Sequence, residues 1–197
     1  MKNSVILPVF LVLFASVIFL QLNCATQDEN KAMTKDEMIA RGKYLTTICG
    51  CNDCHTPKIM TEMGPMPDTT RLLSGQPSNE ANYKIDPDMV GPGKWMLTNG
   101  HLASWVGPWG ISYSANLTPD NATGLGSVSE EMFIKTLREG KLKGVGRPLL
   151  PPMPWPNFAQ LTDDDLKSIY AYLRTIKPIN NPVPLPVPPD QLASMVK

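Results

Sequence analysis

Histidine is scarce in this chain: His55 and His101 are the only two in 197 residues. Neither sign of charge is in excess, with 18 Lys plus Arg against 18 Asp plus Glu. Composition therefore supplies no basic face for a phosphate backbone, which argues against nucleic acid as a partner. Internal repeats are absent and each motif occurs once, so one domain with tails is the economical organisation. Thiols are also few, and three of the four cysteines lie between residues 49 and 54.

That cluster reads Cys49-Gly-Cys51-Asn-Asp-Cys54-His55. A structural zinc site needs four protein ligands, and outside the cluster only Cys24 and His101 remain as thiolate or imidazole donors. A redox dithiol sits beside alternating strands and helices, a pattern missing here. Cys51-x-x-Cys54-His55 fits the pattern for covalent attachment of a c-type haem. Two thiols one helical turn apart can each form a thioether with a haem vinyl group, and the adjacent imidazole meets the iron. The expectation is a single covalent haem c on Cys51 and Cys54, with His55 as the proximal ligand. The other His55 ring nitrogen should donate to a nearby carbonyl, and the Thr56-Pro57 turn is the closest candidate. Cys49 is left over: a small buried side chain, a disulfide partner for Cys24, or a competitor of Cys51 for attachment.

The sixth ligand separates electron carriage from small-molecule binding. Met153, in Leu149-Leu-Pro-Pro-Met153-Pro-Trp155-Pro, is the favoured candidate, because flanking prolines lower the entropy of a loop that holds one side chain against iron. His101 is the minor alternative. Met60, Met63, Met66, Met89, Met96 and Met132 are read as core filler.

Three helices are signalled. Met33-Thr34-Lys-Asp-Glu37-Met38 opens one from about 35 to 50, with Thr34 as cap and Met33 stapled to Met38. Ser127-Val-Ser-Glu130 opens another, carrying Val128, Met132, Phe133 and Leu137 and ended by Gly140. Leu161-Thr162-Asp-Asp-Asp165-Leu166 opens the last, with Ile169, Tyr170, Leu173 and Ile176 in phase and Lys177-Pro178 as the stop. Segment 64–126 is irregular, rich in Gly, Pro, Asn and Trp, and Asn99-Gly100 between short apolar runs suggests a hairpin. Eleven of the 20 prolines follow residue 147, and those from Pro182 to Pro189 predict an extended polyproline tail.

The N-terminus has the order of a secretory signal: Lys2, an apolar run from Val5 to Leu20, then polar residues 27–31. Cys24 follows in LQLNCAT, similar to a loose lipoprotein box, although Leu22 and Asn23 replace the usual small residues. An uncleaved anchor over Val5–Leu22 and cleavage near Ala25 are the rival readings. Lipid or anchor leaves the domain tethered to a membrane, in the periplasm or on the outer face of a bacterial membrane.

With these residues in place, the chain resembles the monohaem class I cytochrome c family. ARGKYLTTICGCNDCH, LLPPMPW and LTDDDLKSIYAYLRTIKP match in order, over roughly residues 34–180. SANLTPDNATGLGSVSEEMFIKTLREGK is similar to the equivalent stretch of cytochrome c domains in bacterial electron-transfer chains, including those attached to membrane dehydrogenases. The resemblance implies an all-α fold, helices around the haem with long loops and a possible small hairpin. It also implies that the first and last helices cross, where Gly42 permits close approach and Leu45, Tyr170 and Leu173 make contact.

The domain plan is a signal or anchor over 1–23, a linker over 24–33, a cytochrome c domain over 34–180 and a Pro-rich tail over 181–197. The distance from His55 to Met153 exceeds what a compact family member needs, so 64–126 is an insertion that covers a haem edge or docks a partner. Trp95, Trp105 and Trp109 are read as packing residues, and Arg147 as a propionate partner or a solvated side chain.

The functional expectation is a one-electron carrier that transforms no substrate itself, working between a redox donor and acceptor. A permanent place as the haem c subunit of a membrane dehydrogenase is the alternative. A peroxidase-like or gas-sensing haem protein is the reading from another class, and it lacks a well-placed acid and histidine pair.

Overall fold

The computed structural model describes residues 32–80 and 84–195. The expected signal, anchor and lipidation site fall outside them. Residues 35–197 form one compact unit. Among the described residues no helix is long and apolar enough to cross a membrane.

Helix α1 (Lys35–Ile48) leads through Gly50 into the short α2 (Cys51–His55). A hairpin of β1 (Lys58–Thr61) and β2 (Gly64–Pro67) follows at once. The middle of the chain holds a three-stranded antiparallel sheet, order β3 (Leu97–Thr98), β4 (Ser104–Gly107), β5 (Gly110–Tyr113). Then come α3 (Glu130–Glu139), the four-residue α4 (Trp155–Phe158) and α5 (Asp163–Leu173). Five α-helices and two small sheets among the described residues are not plainly an all-α fold. The three helix signals account for the three longer helices, while the short Cys51–His55 and Trp155–Phe158 helices carry no such signal. The sheets come from alternating apolar residues that helix periodicity does not register, such as Val106 paired with Ile111.

The caps explain the helix limits. Ser129, two residues beyond the expected opening, accepts from the Met132 amide, and Gly140 ends α3 in the left-handed region. Thr162 accepts from the Asp165 amide at 3.1 Å, and three aspartates fill the first turn of α5. This last helix stops at Leu173, short of Lys177, although Ile176 still packs on the core.

Two apolar clusters result. The main one joins Leu45, Leu73, Val128, Phe133, Leu137, Leu166, Ile169 and Leu173. Each such side chain contributes roughly 1.5–3 kcal/mol on burial. Helices α1 and α5 cross against it: a Cβ on Gly42 would overlap the Ser168 carbonyl and lie 2.8 Å from Tyr172 Cβ. Arg41 Nε donates to Asp165 Oδ1 at 2.6 Å across the same crossing. Tyr170, expected at this contact, instead faces α3, with its ring centroid 5.6 Å from Phe133 and its hydroxyl donating to the Val128 carbonyl.

The second cluster is Val90, Val106 and Ile111, flanked by Ile85, Leu97, Tyr113, Val187 and Leu192. The Pro-rich tail closes it. Ile111 and Val187 exchange both backbone hydrogen bonds, at 2.8 and 3.0 Å, so the tail runs as an extra edge beside β5.

Candidate functional site

Helix α2 is built by its neighbours as much as by its own turns. Gly50 bends the chain, and α2 then carries Cys51 and Cys54 three positions apart, on one helical face. Both thiols are free and half-buried, as is Cys49. Burial, helped by Cys49, pushes the Cys51 thiol up to about 12. Burial also raises Cys54 and Cys49, with Asp165 adding to the latter. All three are therefore neutral thiols at neutral pH rather than thiolates.

His55, at the end of α2, has Nδ1 2.8 Å from the Ala115 carbonyl oxygen. A carbonyl only accepts, so Nδ1 carries the proton and Nε2 keeps its lone pair. Burial lowers the His55 pKa, which keeps the ring neutral. The partner is thus not the adjacent Thr56-Pro57 turn but the Ala115 carbonyl, within segment 64–126. Thr56 and the His55 carbonyl have other bonds: Leu73 N donates to Thr56 Oγ1 at 2.9 Å and Gly75 N to His55 O at 2.7 Å. Gln76 N donates to Ser114 O, which ties the loop after Leu73 to the segment carrying Ala115.

Met153 is half-buried and packs on the main cluster, as does Cys51. Its loop is restrained from two sides. Leu149 N donates to Gly140 O at the end of α3, and Ser112 Oγ of β5 donates to Pro151 O at 2.6 Å. Trp109 Nε1 in turn donates to Ser112 Oγ at 3.2 Å. The other six candidate methionines, expected as core filler, are all exposed, from Met66 at 41% to Met63 at 84%.

His101 has no ring nitrogen to spare for a metal. Lys58 N donates to its Nδ1 at 3.0 Å, so Nε2 holds the proton and donates to Glu80 at 2.7 Å. That bond holds the Glu80 carboxyl below the ordinary carboxylate range. Trp105 donates to the Leu102 carbonyl, while Trp95, expected to pack, is 71% exposed. Arg147 is exposed and donates to the neighbouring Pro148 carbonyl.

Among the described residues no three His, Cys, Asp or Glu side chains gather to hold a metal, so the thiol pair lacks the companions zinc requires. The donor set fits a haem better: two neutral thiols one turn apart, an imidazole with Nε2 free, and a half-buried thioether on the same core. Ala115, Ser112 and Lys58 were not singled out from the sequence. The first acts through its main chain and the second is one small residue in a strand, so neither leaves a side-chain signal. Lys58, a cation just past a helix end, did.

No family model matches the chain. It is 33% identical over 161 residues to the fructose dehydrogenase cytochrome subunit of Gluconobacter japonicus, covering 80% of this chain and 26% of that one. The gluconate 2-dehydrogenase cytochrome c subunit of Pantoea cypripedii is 33% identical over 137 residues, covering 70% and 23%. The cytochrome c subunit of the quinone alcohol dehydrogenase of Gluconobacter oxydans is 31% identical over 154 residues, covering 78% and 23%. The match thus spans about a quarter of the length of these relatives. Relatives named as cytochrome c subunits of dehydrogenases support a cytochrome c family for this chain.

Proposed function

We propose that this chain is a one-electron carrier with a single covalent haem c, working as the cytochrome subunit or domain of a bacterial dehydrogenase system. When bound, the haem supplies an iron that alternates between ferric and ferrous states. Cys51 and Cys54 would hold the porphyrin through two thioethers. His55 would ligate through Nε2, its ring fixed by the Ala115 carbonyl, and Met153 would supply a thioether ligand. The second imidazole, His101, is engaged by Lys58 N and Glu80, so it is not free to serve as a general base.

The observation that carries this reading is the free Cys51/Cys54 pair on the turn that ends in His55, whose tautomer leaves Nε2 unprotonated. Dehydrogenase partnership is supported by the relatives' names. Export and membrane attachment are supported by Lys2, the Val5–Leu20 run and Cys24, through lipidation or an uncleaved anchor.

Carbon monoxide added to the ferrous wild-type protein tests the closed iron. Unchanged spectra at once after mixing are expected, and immediate binding would favour a gas-binding protein. For the circuit, gentle solubilisation of membranes followed by copurification should bring down a dehydrogenase; an eluate free of any redox enzyme argues for a mobile carrier instead.

A further inference from the structure

Lys58 follows His55 by three residues and is only 8% exposed. Its Nζ donates to Asn52 O at 3.1 Å, to Asp53 O at 2.9 Å and to Thr56 O. An ammonium has three N–H donors, and three carbonyls take them. Two of these carbonyls belong to α2 and the third to the residue that caps it. Asn52 O also accepts from the Thr56 amide at 3.3 Å, whereas Asp53 O meets no amide four residues on because residue 57 is proline, and these carbonyls lie at the negative end of the helix dipole.

The lysine main chain is gripped from the other side. Its N–H donates to His101 Nδ1, His101 Nε2 donates to Glu80, and Glu80 pairs with Arg71, which also bonds Asp68 at 2.7 Å. Asp68 N returns to the Pro57 carbonyl at 2.8 Å. This brace turns the Lys58 side chain back over the helix it follows. The acceptors are neutral carbonyls, so the positive charge is solvated by dipoles and not cancelled by a bonded carboxylate.

Resting on the proposed haem reading, we propose that Lys58 is a positioning residue for the Cys51–His55 helix, and that its buried charge raises the reduction potential of the iron ligated by His55. A fixed cation at low dielectric destabilises the ferric state more than the ferrous one. Hydrogen bonds to the last turn hold the backbone from which the proximal ligand projects.

The test uses the full-length haem-loaded protein with Lys58→Gln, Lys58→Met and Lys58→Arg. Gln keeps a donor to the carbonyls without the charge, Met keeps neither, and Arg keeps both. Redox titration should show Gln and Met displaced about tenfold toward ferric iron, about 59 mV for one electron, with Arg near wild type. Haem content measured as pyridine haemochrome should stay unchanged. Amide hydrogen exchange over residues 53–56 should be faster in Met than in Gln or Arg, and this readout does not depend on haem. Gln and Met titrating at the wild-type potential would overturn the charge effect, and wild-type exchange in Met would overturn the clamp. A wild-type chain that carries no covalent haem would instead strike the proposed function, leaving the exchange result to judge the clamp.

Discussion

His55 Nδ1 donates to the Ala115 carbonyl at 2.8 Å, sixty positions along the chain. Segment 64–126 is therefore not an ornament on the helical frame. It delivers the acceptor that fixes the imidazole tautomer, and it delivers His101, which grips the backbone just after α2.

Gly75 tests that relationship. It has φ +78°, and a Cβ there would sit 2.7 Å from the Ala115 carbonyl oxygen that His55 uses. Gly75→Ala should destabilise the fold by about 2 kcal/mol, through the left-handed strain and the overlap. It should also speed exchange of the His55 Nδ1 proton in NMR. A variant with unchanged urea midpoint and unchanged imidazole proton would separate His55 from segment 64–126.

Met153→Ala should keep the covalent haem, abolish the weak far-red sulfur-to-iron band of the oxidised protein, lower the potential and admit carbon monoxide. His101→Gln should retain the band, because both nitrogens of that ring are already engaged. A wild-type spectrum without the band, with carbon monoxide admitted by the His101 variant and not by Met153→Ala, would reverse the assignment.

Gly42 sets the distance between α1 and α5, where any side chain meets the Ser168 carbonyl. Gly42→Ala should cost about 1–3 kcal/mol by overpacking, read from denaturant unfolding. A gain in stability, as expected for alanine in an unconstrained helix, would show that the crossing has room.

Asp68 couples the brace to pH. Its carboxyl accepts from Thr70 and from Arg71, which hold its pKa down at about 2 against an ordinary 3.8. A depressed pKa contributes stability above the ordinary value, lost as pH falls from about 4 through about 2. Asp68→Asn should lower stability at neutral pH by about 1 kcal/mol and flatten the acid limb in that window. An acid limb unchanged by the substitution would place the titration elsewhere.

The three longer helices are readable in the sequence because their signals are local, as where Thr162 caps α5 and Gly140 ends α3, whereas the close crossing at Gly42 was implied by the family resemblance. The Asn99-Gly100 hairpin was readable for the same reason, since β3 and β4 pair across it. The β1–β2 hairpin was missed, although Gly64 lies at its turn, because Met60, Met63 and Met66 were read as core. The docking of Val187 on Ile111 depends on residues far apart in sequence and on a tail whose composition signals only extension. At the site, side-chain chemistry identified Cys51, Cys54, His55 and Met153 as candidates. The Ala115 carbonyl could not be read, because every residue carries one.

The most direct test of the account is pyridine haemochrome analysis of the acid-acetone-extracted polypeptide, produced with a c-type haem attachment system. The account predicts one haem per chain retained, with the spectrum of two saturated vinyl groups, and its loss in the Cys51→Ala, Cys54→Ala double variant. A wild-type polypeptide stripped of all pigment by the extraction would contradict it.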